Sequence, residues 1–95
     1  MLVYLAGNCP VGCGGFGLLV VADVSGSPVA YYCDDCACAW RLPAAAGDCA
    51  TLQALGVRSA RPASMSEIRS AGIGNRVTNS VIFGDGDIAL FRRPA

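Results

Sequence analysis

A small β-rich α+β domain is what the 95-residue sequence predicts, from three observations: two close cysteine pairs, a strand–turn–strand run between them, and one capped helical stretch followed by a second strand–turn–strand run. A chain of this length holds a single domain. It buries a modest fraction of its surface, so a staple has much to add to its stability. The composition, 54% hydrophobic and 15% charged, excludes a disordered tail. The longest apolar run, Leu18 to Ala22, falls far short of the roughly 18 residues that span a bilayer. The stretch Met1–Gly7 has neither the basic start nor the apolar length of a secretory signal, which points to a cytoplasmic location. In a reducing compartment, clustered cysteines serve as metal ligands or redox groups more often than as disulfides.

The first element covers residues 1–42. Here Cys9-Pro-Val-Gly-Cys13 and Cys33-Asp-Asp-Cys36 are separated by nineteen residues. A tetrahedral ion with bonds of about 2.3 Å to sulfur takes two ligands from each of two tight turns. Gly12, Gly14 and Gly15 permit the positive φ values such a turn requires, and Pro10 presets its entry. Between the pairs, Phe16–Val24, Ser25–Pro28 and Val29–Tyr32 read as strand, turn and strand, a hairpin that brings all four sulfurs together. The residues therefore predict a metal-stapled zinc ribbon with a structural Zn²⁺ on Cys9, Cys13, Cys33 and Cys36. Iron takes the same tetrahedral four-sulfur set. Two disulfides, or a redox Cys-x-x-Cys, are the competing readings, and the redox motif normally opens a helix in a βαβ setting that is not written here. Cys38 and Cys49 read as small buried hydrophobes, with Cys38 close enough in sequence to stand in for Cys36. Trp40, the only Trp, reads as the residue that packs over the second knuckle.

Residues 43–63 read as a connector, in which Cys49–Gly56 is either one or two helical turns or a loop. Residues 64–72 read as a helix: Ser64 and Glu67 fit a capping box, Gly72 fits the left-handed stop, and Met65, Ile68 and Ala71 make one apolar stripe. A helix of under ~12 residues is marginal alone, so it should dock on the ribbon. Residues 76–92 read as a second β-hairpin that turns at Asp85-Gly86. The Gly84-Asp-Gly-Asp87 string lacks the spaced acidic ligands and terminal Glu of a calcium loop.

Three stretches carry a resemblance: Cys9-Pro-Val-Gly-Cys13-Gly, Cys33-Asp-Asp-Cys36-Ala-Cys-Ala-Trp40, and Pro62-Ala-Ser-Met-Ser-Glu-Ile-Arg-Ser-Ala-Gly72. Together they resemble a group of small bacterial zinc-ribbon proteins whose pattern runs C-P-x-C-G, a hairpin, C-D-E-C-x-x-x-W, and a helix of the form A-T-x-E-E-I-x-x-A-G-W. The chain departs from it by an extra residue in the first knuckle, by Asp35 for Glu and by Ile73 for Trp. Some proteins of this kind are encoded as immunity proteins beside secreted polymorphic toxins. The resemblance thus implies a toxin-binding role and carries over the zinc ligands, with no active-site residues.

The charge balance bears on function. Seven arginines offset seven acids, with no Lys and no His. Four thiolates on one Zn²⁺ add about −2, which leaves the loaded protein acidic. A nucleic-acid-binding ribbon of the transcription or translation machinery is the alternative, but it would need a basic stripe. Catalysis fits less well. The usual general base and Schiff-base nucleophile are missing, and four cysteines close the coordination sphere. The expectation is a non-enzymatic protein-binding module, with Asp34, Asp35, Asp85 and Asp87 as candidate contacts to a basic partner.

Overall fold

Strand alternation gives this chain one sheet with two buried faces. The structure is a computed structural model and is described for residues 1–11, 17–43, 49–84 and 86–91. Its strands are β1 (Leu2–Leu5), β2 (Leu19–Asp23), β3 (Val29–Cys33), β4 (Cys38–Arg41), β5 (Ala60–Pro62) and β6 (Asn79–Ile82), and its α-helix is α1 (Met65–Ser70). The sheet is antiparallel in the order β4-β3-β2-β1-β6. β5 pairs with β2 further along, from Val21 to Asp23.

β2 lies in the middle, and its Leu-Val-Val-Ala run is buried throughout, as a strand covered on both sides requires. Alternate residues face opposite ways. Val20, Ala22, Tyr31, Cys33 and Trp40 join a core with Ile68 of α1 and Ile73 after it. Val3, Leu5, Leu19, Val21 and Ala30 join a second core with Val57, Phe83 and Ile88. No helix among the described residues is long and apolar enough to cross a membrane.

The expected hairpin between the cysteine pairs, β2 to β3, forms with Leu19 opposite Tyr32 and Ala22 opposite Val29. The expected helix forms as well. Ser64 accepts from the Glu67 amide, the Glu67 carboxylate accepts from the Ser64 amide, and Gly72 follows at φ +76°. Two expectations are corrected. Residues 43–63 are more than a connector, because Ala60–Pro62 adds a strand to β2 and Gln53–Leu55 forms a 3-10 turn. The described residues of 76–92 do not form a hairpin. Asn79–Ile82 pairs instead with β1, Leu2 opposite Ile82 and Leu5 opposite Asn79, and Ala89–Phe91 is a 3-10 turn. The reason is burial: pairing with β1 sets Val81 beside Val3 on the second core, and Ile88 closes over it at 1% exposure. Asp85 lies outside the described residues.

Two carboxylates brace the connections. Asp23 accepts the amides of Ser59, at 3.0 Å, and Arg58, at 2.9 Å, and the Ser59 bond first, then those from Ser25 and last that from Arg58, hold it well below the usual carboxylate range. Glu67 takes a two-point contact from the Arg61 guanidinium, one bond at 2.7 Å, which ties α1 to β5. That guanidinium first, and the capping amide second, lower the Glu67 carboxyl to about 2. An unfolded Glu titrates near ~4.3, so the folded-state value is depressed. The contribution is then fully present above pH ~4.3 and is lost as the pH falls toward 2. Urea midpoints measured from pH 6 to pH 2.5 should decline for the native protein. Glu67→Gln should start lower and lose less over the same interval.

Candidate metal centre

The first knuckle is closed at its base by two glycines. The Leu18 amide donates to the Gly7 carbonyl at 2.9 Å, and the Ala6 amide donates to Leu18 at 2.9 Å. Gly17 sits at φ +105°, and a Cβ there would come within 2.5 Å of the Gly7 carbonyl oxygen. No side chain fits either condition. Gly17→Ala should therefore cost about 2 kcal/mol in urea unfolding and weaken metal uptake, because it displaces the strand end that positions Cys9. Retention of both the midpoint and the metal affinity would contradict this account of the neck.

The second knuckle is the β3–β4 turn. Cys33 opposes Cys38 across the ladder, and residues 34–37 reverse the chain, with Ala37 in the left-handed region at φ +56°. This places Cys36 toward Cys9. The Sγ atoms of Cys9, Cys33 and Cys36 all lie within 4.8 Å of one another. The Cys9 and Cys36 sulfurs are 3.7 Å apart. Bonds of about 2.3 Å at tetrahedral angles put two sulfurs about 3.8 Å apart, so the spacing suits a shared ion. Cys33 is fully buried and Cys9 is 7% exposed, while Cys36 is half-buried. Burial pushes the Cys36 thiol up; its Cys33 neighbour opposes the rise, and its Cys9 neighbour adds to it. A divalent cation reverses that preference by favouring thiolates. The donor set therefore fits a metal ion. Cys13, the fourth expected ligand, lies outside the described residues.

Three further sequence readings meet the structure here. Cys38 and Cys49 are not two separate buried thiols. They form a disulfide, with Cα atoms 5.1 Å apart, and Cys49 is exposed. The Ala39–Ala50 bridge beside them brings the backbones within disulfide range. A disulfide between two of the six cysteines departs from the expectation that, in a reducing compartment, clustered cysteines serve as metal ligands or redox groups. Asp34, read as a partner contact, has both carboxylate oxygens engaged within the chain, by the amides of Ala89 and Leu90. Asp87 accepts from the Gly84 amide at 2.7 Å and is exposed, as is Asp35. Asp85, the remaining candidate contact, is not among the described residues.

Trp40 is 2% exposed and lies opposite Tyr31 in the ladder, beside the cysteines of the same core. The Tyr31 hydroxyl donates to the Pro43 carbonyl at 2.6 Å. The core that holds Cys9 and Cys33 also holds Tyr31, Trp40, Val20 and Ile68, with Cys36 packed against it. No protein-family model, no curated protein and no solved structure matches this chain.

Proposed function

We propose that the chain is a non-catalytic module stapled by one structural Zn²⁺ on Cys9, Cys33 and Cys36, with Cys13 as the fourth ligand. We further propose that it works by binding another protein, as an immunity protein that neutralises a cognate bacterial toxin. The single observation that carries the metal is the convergence of three sulfurs within 4.8 Å. A four-thiolate shell leaves the ion no open position for chemistry, and a chain without His or Lys has few groups to act as a base.

Protein binding is supported by the resemblance to small ribbon proteins encoded beside toxins. It is also supported by the sheet edge at β6, where Ile82 is 80% exposed opposite Leu2 at 47%. An exposed strand edge with apolar residues suits strand-to-strand recognition. Nucleic acid is less well served, since Arg61 is engaged by Glu67 and the overall charge is balanced.

Native mass spectrometry of the intact chain should show one zinc per molecule. Cobalt substitution should give the intense near-ultraviolet thiolate bands of a sulfur-rich site. Co-expression with the toxin encoded alongside should protect the host and yield an isolable complex. Absence of both protection and complex would overturn the immunity role, and a salt-sensitive shift of DNA or RNA would favour the nucleic-acid ribbon instead.

A further inference from the structure

The turn between β3 and β4 reaches both cores. Cys33 ends its strand with the sulfur on the α1 side, and the next residue, Asp34, reaches the opposite side. There one carboxylate oxygen accepts the Ala89 amide at 2.7 Å, and the other accepts the Leu90 amide at 2.9 Å. These are leading amides of the 3-10 turn Ala89–Phe91, which lack helical acceptors and favour an anion. The segment they secure lays Ile88, 1% exposed, against Val3, Leu5, Leu19 and Val21, with Leu90 and Phe91 packed alongside. It is braced within itself by the Phe91 amide on the Ile88 carbonyl at 3.1 Å.

We infer that residues 86–91 form a metal-gated strap: an ion on Cys9, Cys33 and Cys36 fixes the Asp34 carboxylate, and Asp34 fixes the strap over the second face of the sheet. The inference rests on the metal reading above. Two ligands flank Asp34 in the chain, so an ion that holds Cys33 and Cys36 also holds the peptide between them. Without it the peptide from Asp34 to Ala37 is held only at its two ends, by the Cys33–Cys38 pair, with Ala37 in the left-handed region at φ +56°. Charge-assisted hydrogen bonds depend steeply on distance and angle, so a small shift of Asp34 releases both strap amides. Once released, the strap uncovers the apolar side chains of Val3, Val21 and Phe83. The coupling is reciprocal: the factor by which zinc stabilises the closed strap is the factor by which the closed strap tightens zinc.

The test compares zinc-loaded full-length protein with zinc-loaded Asp34→Ala, using hydrogen–deuterium exchange and competition titration with a chromophoric chelator. Asp34→Ala should still bind one zinc. Its peptides over residues 86–91 should exchange about tenfold faster, and its zinc affinity should fall by up to the factor by which zinc slows exchange of the same peptides in the native protein, read from native samples with and without zinc. Ala89→Pro removes one of the two donors at a helix start, where proline is tolerated, and leaves the knuckle residues intact. It should weaken zinc several-fold. A strap as protected in Asp34→Ala as in the native protein, or a loosened strap with unchanged zinc affinity in both variants, would overturn the coupling. A native chain that takes up no zinc in the same titration would overturn the metal centre itself, and the coupling with it.

Discussion

Removing zinc with a chelator is expected to lower the urea midpoint sharply and to take away several kcal/mol of stability. Structural zinc contributes about 10–16 kcal/mol to folding in isolated zinc-finger peptides. This chain has two apolar cores of its own, so its loss should be smaller. With free zinc at about a thousand times its Kd, linkage alone gives about 4 kcal/mol. A domain of this size has about 5–14 kcal/mol in all, so a bound zinc would account for a large part of it. Cys33→Ser and Cys36→Ser should reproduce the chelated midpoint and no longer respond to chelator. Their agreement with each other would mark one shared ion, whereas a native midpoint indifferent to chelator would mean that the cores alone hold the fold.

Trp40→Ala should be the most damaging single core substitution. Trp40 heads the fully buried side chains by volume and stands opposite Tyr31, where β4 joins the sheet. Emptying such a site costs about 3–5 kcal/mol, and partial collapse onto Tyr31 sets where in that range it falls. Circular dichroism is the suitable probe, because the variant loses the only Trp. Trp40→Phe keeps much of the volume and should recover more than half of the loss. A Trp40→Ala protein of native stability that failed only to bind its partner would assign Trp40 to recognition in place of packing.

The legible parts of this fold were those encoded locally. The β2–β3 hairpin follows from β-branched runs on either side of Ser25-Gly-Ser-Pro28, and α1 follows from Ser64, Glu67 and Gly72. Three of the four expected ligands converge because short turns place them. What escaped notice depends on distant residues. Asn79–Ile82 carries a strand pattern that says nothing of its partner, and Asp85-Gly86 suggested a local hairpin where pairing with β1 buries more. The Cys38–Cys49 bond was hidden by the same logic, since the Ala39–Ala50 bridge that brings those sulfurs together has no signature in the intervening residues. Asp34 looked like an exposed turn acid because its acceptors' donors lie 55 and 56 residues on.

The pairing of β1 with β6 sets the order in which the domain can assemble. β1 meets β2 at one register pair, Leu5 with Leu19, and meets β6 at four, from Leu2–Ile82 to Leu5–Asn79. During synthesis the β2–β3 hairpin leaves the ribosome long before the strand that β1 needs. Val3, whose ladder partner is Val81 of β6, stays unpaired until β6 emerges. Contacts of such long sequence separation are slow to close, because the intervening chain must be ordered first. β1, made before the strands it pairs with, is thus among the last of them to be secured, and during that interval the nascent chain is exposed to misassociation.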